Sequence, residues 1–282
     1  MNIVNILEEI EKVDGEIYER LNPRRAAMKD FFNMSKKITL AAMPLAMGAL
    51  FQKAYGQTAP ATVNEVLNFA LTLEYLEYHF YNHAVVAAPG LIPAGTPAVG
   101  AITTIRDHEK AHVDLLKGAL GAAARPALAY TDFDFTAKGT FPDVYTNYQT
   151  FLAVAQAFED TGVRAYKGQA GVLKGNAVLT TALQIHSVEA RHAAHIRFMR
   201  SGGLNGGGAA IKPWISLGTG GGANDTGIPQ VDAVYAGEDL DVQTGVTITG
   251  IATGVTKAKA VESFDEPLTS AQVLAIAGLF IK

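Results

Sequence analysis

The chain has 282 residues, a net charge of −4 and no cysteine, and its 49% hydrophobic and 18% charged residues are typical of a globular protein with a substantial core. The missing cysteine excludes disulfides, thiolate zinc sites, iron–sulfur clusters and cysteine nucleophiles, so any metal ion must be held by His, Asp or Glu. No run of Lys or Arg is long enough to follow a phosphate backbone, and we therefore expect no nucleic-acid partner.

The N-terminal extension, residues 1–57, carries segments in the order of an export signal. An arginine pair in PRRAAMKDFF and a lysine pair precede the apolar stretch ITLAAMPLAMGALF at 38–51, and AYGQ follows. This order predicts a signal peptide that ends near Gln57, weakly resembling a twin-arginine signal, and an exported, periplasmic protein. The unusually long segment before the apolar stretch leaves open an uncleaved amphipathic helix and a cytoplasmic protein. The stretch is too short for a stable membrane span in the mature chain.

Four helical patterns occupy residues 58–201. Apolar residues recur at spacings of three and four over four segments, A to D, which cover about 62–87, 97–120, 143–172 and 176–201. Short connections join A to B and C to D, whereas about twenty residues rich in Pro, Gly and aromatic residues separate B from C. Short connections predict antiparallel neighbours, and the long one can cross the whole bundle. The chain is therefore predicted to be all-α, a ferritin-like antiparallel four-helix bundle with a long B–C crossover.

The composition changes again after Gly202. The glycine-rich runs GGLNGGG and GTGGGANDTG are followed by VQTGVTITGIATGV, which has short alternating runs typical of β structure. The last segment, PLTSAQVLAIAGLFIK, predicts an apolar helix with Thr269 or Ser270 as its N-cap. We expect residues 202–282 to form an irregular, partly β-structured arm and a terminal helix, packed on the bundle and not an independent domain.

Each of the four predicted helices turns acidic side chains toward the core. Segments A and C contribute one glutamate each, and segments B and D contribute a Glu-x-x-His pair each, which gives Glu74, Glu159, Glu109 with His112, and Glu189 with His192. Residues three apart lie about 60° apart around a helix, so each pair shares a face. This set is the ligand inventory of carboxylate-bridged di-metal sites in four-helix bundles. We predict that these six residues bind two divalent ions, iron or manganese, with zinc as a further candidate.

The charges of such a site balance. Two divalent cations bring four positive charges, which four ionised glutamates cancel, and one neutral imidazole completes the shell of each ion. Without the metal ions, six charged or polar groups in a dry core would be very costly. Glu109 and Glu189 are the expected bridging carboxylates, because each shares a helix turn with a terminal histidine ligand.

Two tyrosines repeat the spacing of the single glutamates. Tyr81 follows Glu74 by seven residues and Tyr166 follows Glu159 by seven, so segments A–B and C–D resemble a tandem repeat. As functional residues, these tyrosines could hydrogen-bond the glutamates or carry an electron. Aromatic packing with a satisfied hydroxyl group explains them equally well.

Five further residues are weaker candidates. Glu77 lies one turn from Glu74 and is either an acid behind the ligands or an exposed or capping residue. His186 and His195 extend the row of Glu189 and His192 by one turn at each end, which is more typical of surface or outer groups than of ligands. His79 and His83 form an H-x-x-x-H pair that faces away from Glu74, so a metal site there is improbable.

The segments LNFALTLEYLEYHFY, RDHEKAHVDLL, AFEDTGVRAY and IHSVEARHAAHIRFM carry a resemblance to a known family. Over roughly 62–201, and again in ESFDEPLTSAQVLAIAGLFI, the chain resembles the ferritin-like domain family that includes the plant desiccation-related proteins and exported bacterial relatives. The resemblance implies a ferritin-like bundle with a di-iron or di-manganese centre, but it implies little about the reaction.

These observations leave three functional hypotheses. The first is a di-metal oxidoreductase, linked to oxidative stress, whose partners are dioxygen or hydrogen peroxide. The second is a secreted, non-enzymatic stress or desiccation-related protein in which the metal is only structural or absent. The third, mineral storage in a ferritin shell, ranks last because the two extensions would crowd a 24-subunit cage. The oligomeric state is open, a homodimer included.

Overall fold

The structure is a computed structural model that describes residues 62–202, 211–217, 228–243 and 245–282. Its body consists of four long helices, α1 (Val63–Val86), α2 (Pro97–Leu120), α3 (Tyr148–Gln169) and α4 (Val178–Arg200). They coincide with predicted segments A to D to within a few residues, apart from the start of α3.

Local sequence signals set the helix starts. Thr62 and Glu65 form a reciprocal capping box at α1, and α2 begins with Pro97, whose missing N–H costs nothing at that position. α3 begins at Tyr148 and not near 143, because residues 143–147 form a separate turn in which the Asn147 backbone N–H donates to the carbonyl oxygen of Asp143 (2.8 Å). The Asn147 side chain then caps α3 by accepting from two backbone N–H groups.

The helices pack as two pairs, α1 with α2 and α3 with α4, and the pairs face each other across one core. The connection from α2 to α3, residues 121–147, is the long crossover of the prediction, and it contains two short 3₁₀ turns, Gly121–Ala123 and Tyr130–Asp132. The fold is therefore a ferritin-like four-helix bundle, as predicted.

Aromatic rings tie the crossover to the core. The ring of Phe80 on α1 is fully buried, 4.8 Å from the ring of Phe151, 5.0 Å from Phe158 and 5.5 Å from Phe135 of the crossover. Large rings that pack at such distances stabilise the bundle by burial and by edge-to-face contact. Glu159, one of the predicted metal ligands, directly follows Phe158 of this aromatic layer.

The C-terminal part contains short elements only. In the described residues these are α5 (Pro229–Asp232), the antiparallel strands β1 (Val242–Gln243) and β2 (Val246–Thr247), α6 (Lys257–Val261), α7 (Ser270–Ala277) and two 3₁₀ turns, Ala233–Tyr235 and Ile248–Gly250. Thr269 caps α7 in a capping box with Gln272, so the predicted terminal helix and its cap are confirmed.

The C-terminal part is fixed to α3 by Arg164. The guanidinium group donates to the carbonyl oxygens of Val234 (2.6 Å), Ala236 (3.0 Å) and Glu266 (2.8 Å), and it forms a buried ion pair with Glu238 at 2.5 Å. One turn further along α3, a Cβ atom on Gly168 would lie 1.9 Å from a backbone carbonyl oxygen of the segment before α7, so only glycine permits this approach.

Several predictions concern residues that the structure leaves undescribed. The export signal falls in residues 1–57, and the two glycine-rich runs lie largely in 203–210 and 218–227, outside the described residues. Domain limits at 57 and 201 likewise stay predictions. Among the helices that are described, none combines the length and the apolar character needed to cross a membrane.

Candidate metal centre

The middle of the bundle contains an unusual concentration of buried polar side chains. All six residues that the sequence predicts as ligands are buried, and the four glutamates among them are fully inaccessible: Glu74 on α1, Glu109 and His112 on α2, Glu159 on α3, Glu189 and His192 on α4. The Glu-x-x-His spacing puts both members of each pair on the inner face of their helix. The structure therefore brings all six together, while their role as metal ligands stays a prediction.

The first of two clusters surrounds His112. Its Nδ1 atom lies 3.0 Å from Glu109 Oε2, 3.1 Å from Glu74 Oε2 and 3.1 Å from Glu189 Oε1. A single ring nitrogen carries at most one proton, so it cannot donate fully to three carboxylates. Three carboxylate oxygens and one imidazole nitrogen that lie within 4.8 Å of one another could instead hold a divalent cation.

The second cluster surrounds His192 in the same way. Its Nδ1 atom lies 2.8 Å from Glu109 Oε1, 3.3 Å from Glu159 Oε2 and 3.9 Å from Glu189 Oε2. Glu109 and Glu189 thus direct one oxygen to each histidine. In each cluster, the four candidate ligand atoms lie within 4.8 Å of one another, and the two clusters share these two glutamates.

The electrostatics of the clusters follow from burial and proximity. Burial raises the pKa of Glu74 to about 7, and it raises that of Glu189 well above the ordinary value, with Glu109 adding to both. Burial acts on Glu109 in the same direction, but the two imidazoles outweigh it and lower its pKa to about 2. Burial likewise opposes the charge on His192, yet Glu159 and Glu109 raise its pKa to about 11. The raised pKa values mean that, without metal ions, protons bound to these side chains offset the repulsion among the carboxylates.

Buried atoms without a well-directed hydrogen bond indicate that the clusters could hold metal ions. Among the described residues, five buried atoms of the clusters lack a hydrogen bond of good geometry, although His192 Nδ1 and Glu109 Oε1 lie only 2.8 Å apart: Glu109 Oε1, Glu159 Oε2, Glu189 Oε1 and Oε2, and His192 Nδ1. Buried polar atoms are rarely left without a partner in a native protein. All five belong to the two candidate ligand sets, so two cations between the clusters would satisfy all of them.

The two tyrosines connect the halves of the bundle. Tyr81 on α1 donates to Glu159 Oε1 on α3 at 2.5 Å, and Tyr166 on α3 donates to Glu74 Oε1 on α1. Each tyrosine therefore bonds the glutamate of the opposite helix and not that of its own. Both phenols are buried, and these bonds agree with the predicted hydrogen-bonding role.

Two residues at the centre were not predicted as ligands. Glu77 is buried, and one of its oxygens lies beside the cluster, next to Glu189 and above Gly162. His108 is exposed, and its Nδ1 atom lies 2.9 Å from His192 Nε2, the nitrogen on the outer side of that ring. His108 directly precedes Glu109 in the sequence, and this position is the feature that could have indicated a place near the centre. Its contact with His192 depends on how α2 packs against α4.

The remaining histidine candidates lie outside both clusters. His79 Nε2 is 2.9 Å from the carbonyl oxygen of Leu128, and the ring of His83 stacks on Tyr130, so both contact the crossover. His186 Nδ1 is 3.0 Å from the carbonyl oxygen of Val163. His195 contacts Phe198.

Comparison with known proteins supports the fold. Residues 62–201, which include all four helices and all six candidate ligands, match the model of the ferritin-like domain family. Over these residues the chain belongs to that family. No curated protein and no solved structure matches the chain. The ferritin-like domain thus contains two buried Glu/His clusters that could hold metal ions.

Proposed function

We propose that the protein is a di-metal carboxylate oxidoreductase of the ferritin-like type, whose two iron or manganese ions react with dioxygen or hydrogen peroxide. The observation that carries this proposal is the pair of clusters that share Glu109 and Glu189, because shared carboxylates are how proteins hold two metal ions close together. The bound ions would supply Lewis acidity and electrons to the oxidant.

The protein residues would position the ions and control the surroundings. Glu109 and Glu189 would each use both oxygens, one toward each ion, while His112 and His192 would bind one ion each through Nδ1. A histidine ligand must be neutral and a glutamate ligand ionised, so metal binding would release the protons that the metal-free cluster holds. The complete burial of the four glutamates would keep bulk water from the ions.

The tyrosines would hold the terminal ligands in place. Glu74 and Glu159 each accept a hydrogen bond from a tyrosine through one oxygen, which leaves the other oxygen facing a histidine. Such a bond fixes the carboxylate orientation and stabilises its charge. An electron-carrying role for Tyr81 or Tyr166 is part of the proposal, since both phenols lie one hydrogen bond from a candidate ligand.

The test is the reaction of reduced, ferrous-loaded protein with each oxidant, followed by visible absorbance. The proposal expects a rapid absorbance change with dioxygen or hydrogen peroxide in the wild type and in His186→Ala, and none in His192→Ala. His186 is the matched control, because it lies on the same helix and outside both clusters. Wild-type protein that binds both ions but reacts with neither oxidant would favour a structural role for the metal, which the complete burial of the ligands also permits.

Export is a separate proposal, supported by the order of basic, apolar and small residues in 1–57. A cleaved signal predicts that native protein begins near Gln57 and lies outside the cytoplasm. Intact-mass measurement of native protein tests this, and a chain that retains residues 1–56 in the cytoplasmic fraction would contradict it.

A further inference from the structure

Glu77 is a buried acid at the centre that the six-ligand site does not use. It is only 3% exposed; burial, and then the charges of four other carboxylates (Glu189, Glu159, Glu109 and Glu74), raise its pKa well above the ordinary value. A buried carboxylate among carboxylates is costly unless a cation or a proton accompanies it.

The glycine at position 162 explains how Glu77 fits. A Cβ atom on Gly162 would lie 3.3 Å from Glu189 Oε2 and 3.4 Å from Glu77 Oε1, so both oxygens lie against the same point of α3. Glu189 Oε2 is one of the buried atoms without a hydrogen bond, and it is the oxygen that faces His192. Glu77 Oε1 therefore lies at the same point of α3 as a candidate ligand atom of the His192 cluster.

The same two residues break the repeat symmetry of the bundle. Glu77 follows Glu74 by three residues, and Gly162 follows Glu159 by three, so Gly162 is the counterpart of Glu77 in the other half. One half contributes an extra carboxylate, and at the matching position the other half contributes a glycine, against which this carboxylate lies. The cluster of His112 has no equivalent extra acid at that position.

A second asymmetry favours the same cluster. His108 lies 2.9 Å from the outer nitrogen of His192, and such a partner fixes the orientation and the tautomer of a histidine ligand. The corresponding position beside Glu189 is Val188, whose side chain cannot form a hydrogen bond. Val188 therefore cannot hydrogen-bond His112 in the way that His108 contacts His192.

We propose that Glu77 is a seventh side chain of the metal centre, an additional carboxylate beside the four candidate ligands of the His192 cluster, whose charge makes this position bind its metal ion more tightly than the His112 position. The inference rests on the proposed two-metal function. The chemistry is that of a hard divalent cation, which is attracted by each added carboxylate oxygen. Five ionised carboxylates around two divalent metal ions leave one negative charge in excess. This excess would balance the added charge if one of the two metal ions became trivalent.

Stepwise titration of the full-length, metal-free protein with manganous ion alone tests the inference. The wild type should bind two ions in two resolved steps. Glu77→Gln should weaken the tighter step about 10–100-fold and leave the weaker step within about twofold, because Gln keeps the size but not the charge. Glu74→Gln should do the reverse, since Glu74 belongs to the His112 cluster alone.

Controls separate this effect from damage to the fold. Glu65→Gln lies on the surface of the same helix and retains a capping-box side chain, so both steps should stay unchanged. Glu77→Asp retains the charge with a shorter reach and should weaken the tighter step less than Glu77→Gln does. Urea unfolding of the metal-free Glu77→Gln protein should show stability equal to or above that of the wild type, because one acid has left a cluster of acids.

Three results would overturn the inference while the proposed function stands. These are two unchanged steps in Glu77→Gln, an equal loss in both steps, and a loss confined to the step that Glu74→Gln also weakens. A wild-type chain that binds less than one ion would remove the proposed function itself, and this inference with it.

Discussion

Removal of the metal ions should reverse the way in which the stability of the bundle depends on pH. In the metal-free protein, burial raises the pKa of Glu74 from the ordinary 4.5 to about 7. The folded state then holds this proton more tightly than the unfolded chain does. The stabilisation is fully present below pH 4.5 and is lost as the pH rises through about 7.

The magnitude follows from the size of the shift. A shift from 4.5 to about 7 corresponds to about 3 kcal/mol of unfolding free energy from Glu74 alone. Burial also raises the pKa values of Glu77, Glu159 and Glu189, so these groups act with the same sign. The raised pKa of His192 adds to the loss above pH 6.5, toward its folded value of about 11.

Bound metal ions should make the unfolding free energy change with pH in the opposite direction. Each ligand must lose its proton to bind a metal ion, so affinity, and with it the stabilisation of the folded state, increases with pH. Between pH 5 and 8 the metal-free protein should therefore lose stability, whereas protein saturated with manganous ion should gain stability relative to it.

Urea unfolding followed by circular dichroism, at pH 5 and at pH 8, measures both slopes. Glu74→Gln removes one titrating group, so its metal-free protein should lose about 3 kcal/mol less than the wild type between these pH values. Glu65→Gln, at the exposed start of the same helix, should keep the wild-type slope. Metal-free stability that stays flat or rises toward pH 8, or a Glu74→Gln slope equal to that of the wild type, would refute the reasoning.

Three further changes probe the surroundings of the centre. Tyr166→Phe should lower the unfolding free energy of the metal-free protein by about 1–2 kcal/mol, because a buried oxygen of Glu74 loses its donor; urea unfolding checks this, and unchanged stability would contradict it. His108→Ala should weaken manganous-ion binding about 10–100-fold by freeing the His192 ring, and titration at wild-type affinity would show that the contact does not matter. Gly168→Ala should displace the segment before α7, lower stability by about 1–3 kcal/mol and speed proteolysis after residue 228; wild-type resistance would refute that close approach.

Periodicity predicted the bundle and the six converging side chains because both depend on single helices. A Glu-x-x-His pair shares a helix face whatever surrounds it, and a stripe of apolar residues shows which face is buried. The sequence therefore placed Glu109 with His112, and Glu189 with His192, before any contact between helices was known. The length of the crossover then indicated how the two helix pairs are connected.

Helical periodicity does not predict which side chains of different helices contact one another. Glu77 lies about 60° from Glu74 on α1, so its own helix leaves its burial undecided; the burial depends on other helices, among them α3, where Gly162 lies beside its carboxylate. Tyr81 and Tyr166 were placed on the correct faces, but each bonds the glutamate of the opposite half. The attachment of the C-terminal part through Arg164 likewise depends on backbone carbonyls, which no side-chain pattern encodes.

The most direct test of the central claim is anomalous X-ray diffraction from crystals of the full-length protein loaded with manganous ion. The account predicts two anomalous peaks about 3.5–4 Å apart in the middle of the bundle, with Glu109 and Glu189 between them and one peak beside each of His112 and His192. A single peak, peaks elsewhere on the chain, or no peak at these residues at saturating manganese would contradict a di-metal centre.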